Sequence, residues 1–222
     1  MKSHIPNALT GLRLLLAVVF FVVLSFYQYE GRGSPWFLNI AFAIYVVALF
    51  TDFLDGYLAR KWNVEGAFGR IVDPFVDKIL VLGSFAFFAG KNFIIADQEV
   101  PGPGFVAKTI TGVVPAVFVI MLARELLVTA IRGAAEAGGH KFGAEMAGKV
   151  KMVVQSVTIL VILAYVNYLP TFQAYDQYHS TRIVFYTTLL RDICIWTTVV
   201  VTVVSSLGYI RRTVAIYRPG GG

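Results

Sequence analysis

The chain has 222 residues, of which 57% are hydrophobic and only 14% charged, with a mean hydropathy of +0.71. Soluble domains carry about 25% charged residues, so this composition excludes an ordinary soluble domain and points to a surface that faces a bilayer. The formal charge of +6 does not indicate a nucleic-acid partner, because basic residues set into apolar helices form no continuous stripe on a soluble face; anionic lipid is the partner such charge suits.

Six apolar runs are long enough to cross a hydrocarbon core, which takes about 20 helical residues. They cover residues 10–29, 36–60, 70–90, 111–132, 148–169 and 184–211. None alternates polar and apolar residues as membrane strands do, so the expected fold is an all-α integral membrane protein, a bundle of six transmembrane helices forming one domain over residues 1–222. The first run is expected to be a retained helix, since no small-residue cleavage site follows it before Glu30 and Arg32. Residues 5–10 read as a turn into that helix, and Arg13 as a side chain that snorkels toward headgroups. Polar stretches containing Asp97, Pro101 and Lys108, and spanning residues 175–182, read as outer loops. Cys194, the only cysteine, excludes an intrachain disulfide.

With the N-terminus inside, every basic residue except Arg32, Lys91, Lys108, Arg182 and Arg191 falls in the inner half. Basic flanks mark the cytoplasmic side, so both termini are expected to be cytoplasmic.

The chemistry concentrates in the second and third runs. Asp52, Asp55, Gly56, Ala59 and Arg60 follow helical spacing and share one stripe, as do Gly69, Asp73 and Asp77. A charge at the centre of a membrane helix costs about 2.5 to 3.5 kcal/mol, so four carboxylates there need compensation. A short connection favours an antiparallel helix pair with the two acidic stripes facing each other near the cytoplasmic end. Hard oxygen donors without His or Cys suit Mg²⁺ or Mn²⁺, and four carboxylates can hold two ions. Gly56 and Gly69 would let a nucleotide or diphosphate approach the backbone, Ala59 would leave room, and Arg60 can pair with phosphate. The bland alternative is a set of ion pairs and kinks in a transporter or bundle. The pattern D-x2-D-G-x2-A-R-x8-G-x3-D-x3-D, which fixes eight positions over 26 residues, outweighs it.

This pattern resembles the signature of the CDP-alcohol phosphotransferase family, with every position present. The resemblance implies a six-helix membrane fold, often dimeric, with Asp52, Asp55 and Asp73 as metal ligands. It makes Asp77 both a metal-proximal ligand and the general base, and assigns Asp55, Gly56, Ala59, Arg60 and Gly69 to the CDP site. The reaction implied is attack of an acceptor hydroxyl on CDP-diacylglycerol with loss of CMP, at an active site facing the cytoplasm.

The acceptor must be read from other helices. Arg124, Arg132, Lys149 and Lys151 lie on the fourth and fifth runs or their cytoplasmic ends, with Arg211 at the end of the sixth, and such a cluster would bind an acceptor that already carries phosphate. Each is equally well explained as a topology-setting cation. The segments around Arg13, residues 123–132 and residues 148–151 resemble bacterial phosphatidylglycerophosphate synthases. That implies sn-glycerol 3-phosphate as acceptor and a bacterial cytoplasmic membrane as location. A cardiolipin synthase using phosphatidylglycerol, and enzymes using inositol phosphate or serine, remain alternatives within the family. A cation transporter is the alternative of a different class.

Overall fold

The computed structural model describes residues 4–29, 34–62, 67–95, 109–139, 146–174 and 177–217. Side chains are described at residues 8–29, 34–54, 56, 61, 75–95, 109–139, 146, 148–169 and 182–214. These form six α-helices: α1 (His4–Phe26), α2 (Pro35–Trp62), α3 (Ala67–Phe88), α4 (Pro115–Ala137), α5 (Met146–Ala174) and α6 (Gln177–Tyr217). Among the described residues the only β pairing is an isolated bridge between Ile94 and Thr109, which closes the connection between α3 and α4 just after a 3-10 turn at Lys91–Phe93.

Among the described residues, four helices contain stretches long and apolar enough to cross a membrane: Ala8–Phe26, Pro35–Leu54, Gly148–Leu169 and Arg182–Val214. Their outward faces are apolar, with Leu15, Phe50, Phe53, Val153 and Trp196 all exposed. So extensive an exposed apolar surface is not stable against water and marks contact with lipid.

Helix α1 packs against α2 and α3, α5 against α6 and α2, and α4 against α6 and α3. The core between them is strongly aromatic: Phe20 lies 5.5 Å from Tyr45 and Phe88 lies 5.7 Å from Phe93, ring to ring. Gly83 allows α1 and α3 to approach, because a Cβ there would meet the Phe21 ring at 2.4 Å. Hydrogen bonds between side chains cross the apolar interior: Asn167 Nδ2 donates to Asn39 Oδ1 at 2.6 Å, joining α5 to α2, and Gln155 Nε2 donates to Thr202 Oγ1 at 3.2 Å, joining α5 to α6. Polar groups buried in an apolar medium are stable only when paired in this way.

Three boundaries depart from the sequence reading. Residues 5–10 are not a turn: α1 starts at His4, and Pro6 is accommodated because the first-turn N–H groups have no intrahelical acceptor. Residues 177–182 are not a loop but the first turns of α6, since the stretch has no Pro or Gly to stop a helix. At 41 residues, α6 is about 60 Å long, roughly twice the hydrocarbon thickness, so its polar ends extend past the apolar stretch. Helix α5 continues beyond Pro170 to Ala174, although proline supplies no N–H to the ladder. Of the polar stretch between α3 and α4, residues 96–108 lie outside the described residues.

Candidate functional site

The acidic signature lies on α2 and α3. The side chains of Asp55, Ala59, Arg60 and Asp73, and the immediate surroundings of Gly69, lie outside the described residues. Asp52 and Asp77 are described, and a third helix brings them together. Arg13 of α1 places Nη1 2.8 Å from Asp52 Oδ1 and 3.3 Å from Asp77 Oδ1. A guanidinium nitrogen carrying two hydrogens can serve two acceptors, so one cation ties α2 to α3.

This corrects the expectation that Arg13 snorkels outward. The residue is 1% exposed and faces the interior, while its neighbours Leu12, Leu14 and Leu15 face outward. A charge inside an apolar helix is retained where it finds a partner of opposite sign. Here the partners lie 39 and 64 positions further along the chain, and no local pattern announces them.

Asp77 also lines a cavity of about 570 Å³ between α3, α4, α5 and α6. Four of the five cationic residues singled out for the acceptor, Arg124, Arg132, Lys149 and Lys151, line the same cavity. Arg211 does not; its side chain is exposed on α6. Lys78, next to Asp77 in sequence, contributes a further cation and donates to Thr129 Oγ1 at 2.7 Å. The lining also includes the apolar residues Val81, Leu82, Val128 and Met152.

Within this cavity Glu125 is a hub that sequence reasoning passed over. Its Oε1 accepts from Arg124 Nη1 at 2.9 Å and also from Lys151 Nζ. Arg124 Nη2 donates onward to Ser205 Oγ at 3.0 Å, and its guanidinium lies 6.0 Å from the Tyr209 ring centroid. Glu125 thereby joins α4 to α5, and Arg124 joins α4 to α6. The available signal was Glu125 itself, an acid in an otherwise apolar run, which implies a cationic partner at membrane depth. Arg132 has a looser partner, with Nη2 3.9 Å from Glu136 Oε1 one helical turn away.

Two carboxylate oxygens from separate helices converging on one cationic nitrogen make a position where positive charge is stabilised. Their hard oxygen chemistry fits Mg²⁺ or Mn²⁺. Among the described residues no three His, Cys, Asp or Glu side chains gather into a metal-binding group; the side chains of Asp55 and Asp73, which would complete the set, lie outside those residues. The site therefore has an acidic side centred on Asp52 and Asp77 and a cationic side on α4 and α5, with Asp77 common to both. Such an arrangement can hold an anionic ligand against the cations while a carboxylate reaches its hydroxyl.

Comparison with known proteins bears on what that ligand is. A CDP-diacylglycerol–glycerol-3-phosphate 3-phosphatidyltransferase of Cereibacter sphaeroides is 39% identical over 92 residues, covering 41% of this chain and 39% of that protein. The protein of the same name from Haemophilus influenzae is 34% identical over 132 residues, covering 60% and 59%. The chain thus spans less than two thirds of the length of these two relatives. It aligns with 94% of a third protein of that name, from Bacillus subtilis, at 26% identity over 215 residues. The family model described as CDP-alcohol phosphatidyltransferase matches residues 3–204, nearly the whole described structure, and the chain belongs to that family.

Proposed function

We propose that this chain transfers the phosphatidyl group of CDP-diacylglycerol to sn-glycerol 3-phosphate, releasing CMP and forming phosphatidylglycerophosphate. The observation that carries the reading is the single cavity in which Asp77 faces the cations Arg124, Arg132, Lys149 and Lys151. The names of the relatives from Haemophilus and Bacillus support the same donor and acceptor.

In this reading the acceptor phosphate is held by the cations of α4 and α5, as guanidinium forks and ammonium groups hold phosphate oxygens. That leaves its primary hydroxyl toward Asp77, which accepts the hydroxyl proton. The hydroxyl oxygen bonds to the lipid-side phosphorus, and the bond from that phosphorus to the bridging oxygen breaks, so the bridging oxygen leaves with CMP. Asp52, Asp55, Asp73 and Asp77 would hold two Mg²⁺ or Mn²⁺ ions. When bound, such ions neutralise charge on the diphosphate. Gly56, Ala59, Arg60 and Gly69 shape the CDP side. The chain acts as one domain with six membrane-spanning helices, as a homodimer in a bacterial cytoplasmic membrane, its termini and active site on the cytoplasmic side.

The apolar lining of Val81, Leu82, Val128 and Met152 favours one second reading, a lipid acceptor such as phosphatidylglycerol, which would make the chain a cardiolipin synthase. Purified protein given CDP-diacylglycerol and each acceptor in turn separates the two by CMP release. Turnover with glycerol 3-phosphate is the expected result. Turnover with phosphatidylglycerol and none with glycerol 3-phosphate overturns the first reading.

A further inference from the structure

We propose that Arg13 is the resident counter-cation of the acidic site, a positioning residue that holds Asp52 and Asp77 in place before a divalent ion binds and competes with that ion for them. The inference rests on the reading of these carboxylates as metal ligands.

Helix α1 carries none of the acidic signature, yet it sends its one arginine into the interior, with Nη1 2.8 Å from Asp52 Oδ1 and 3.3 Å from Asp77 Oδ1. Two carboxylates from separate helices repel each other, and their helices would be pushed apart without compensating charge. Arg13 supplies that charge on a helix that packs against both α2 and α3, so the acidic groups stay near one point when no ion is present. The positive charge that assembles the site also opposes a second cation at the same oxygens. Arginine suits this role better than lysine, because its guanidinium reaches further and keeps its charge when buried, whereas an ammonium ends on a shorter stem.

The full chain, purified into lipid nanodiscs, is titrated with Mn²⁺, and bound ion is counted by electron paramagnetic resonance for wild type, Arg13→Gln and Arg13→Lys. Removing the charge in Arg13→Gln is expected to tighten Mn²⁺ binding by about tenfold or more. At saturating Mn²⁺ its kcat for CMP release falls about tenfold or more, while KM for glycerol 3-phosphate stays within about twofold, because the misplaced group is the base and not the phosphate cradle. Arg13→Lys, which keeps the charge and loses the bridge, binds Mn²⁺ about threefold tighter than wild type. Unchanged or weaker Mn²⁺ binding in folded Arg13→Gln overturns the proposal. Should that variant not fold, wild-type affinity in Arg13→Lys does so instead. A wild-type chain that binds no Mn²⁺ removes the metal reading itself, and this proposal with it.

Discussion

Glu125→Gln tests the cationic side most directly. In the wild type Glu125 Oε1 accepts from both Arg124 and Lys151, and all three side chains are at most 9% exposed. Removing one partner of a buried ion pair costs about 3 to 5 kcal/mol. Glutamine keeps an oxygen acceptor, and the cavity alongside admits water, so the lower end of that range, about 3 kcal/mol, is expected. For a chain of this length that lowers the melting temperature by roughly 6 to 12 °C.

The same substitution leaves two cations short of negative charge beside the proposed phosphate position. Glycerol 3-phosphate should therefore restore part of what was lost. At a hundredfold excess over Kd a ligand stabilises by about 2.7 kcal/mol, and in the variant that level is reached at lower concentration. KM for glycerol 3-phosphate is expected to fall about fivefold, roughly 1 kcal/mol, with kcat within about threefold because Asp77 is untouched. Thermal unfolding in nanodiscs with and without glycerol 3-phosphate, together with CMP release, measures both effects. Equal protection of wild type and variant, or a KM that rises, refutes the reasoning.

Asp77→Asn is expected to lower kcat for CMP release by about a hundredfold or more, the loss typical of a removed general base, with an unchanged elution profile on size exclusion. Lys149→Ala removes a cavity cation that Glu125 does not engage; KM for glycerol 3-phosphate should rise about tenfold with kcat within about twofold. Gly112 has φ +72, and a Cβ there would meet Arg191 Nε at 2.8 Å, the same arginine whose Nη1 donates to the Ile110 carbonyl at 2.7 Å. Gly112→Ala should cost about 1 to 3 kcal/mol of stability, read as a lower melting temperature. CMP turnover per folded molecule should be unaltered, since Gly112 does not line the cavity.

The helices were legible because an apolar run of sufficient length in a chain this poor in charge has few other solutions. Their ends were less so. The runs read from the sequence begin after Pro6 and end before Pro170, and residues 175–182 read as a loop, yet helix covers both prolines and residues 177–182. A first-turn proline offends no hydrogen bond, and polar residues need only leave the hydrocarbon, not the helix. The acidic stripe was visible through its spacing. The cations Arg124, Arg132, Lys149 and Lys151 were visible as charges in apolar surroundings, but their sharing of one cavity with Asp77 depends on how four helices pack. The exclusion of Arg211 depends on the same packing. Arg13 and Glu125 were hidden for a further reason: each pairs with a residue on another helix, Arg13 with Asp52 and Asp77 and Glu125 with Lys151, and these pairings span 26 to 64 positions.

Arg13 and Glu125 also explain how so much charge of each sign is held in one membrane protein. Each sits among residues of the opposite sign: a cation between two aspartates, and a carboxylate between an arginine and a lysine. Without them the acidic side would repel itself, as would the cationic side, and the cost would be highest where the dielectric is lowest. Each internal counter-ion therefore stabilises the ligand-free site and opposes the ligand that would replace it. Opposite consequences follow for the two variants: Arg13→Gln should favour a bound cation, and Glu125→Gln a bound anion. Were both substitutions to shift affinity in the same direction for both ligands, loosened packing would account for the data better than charge, and the division of the site into two compensated halves would fail.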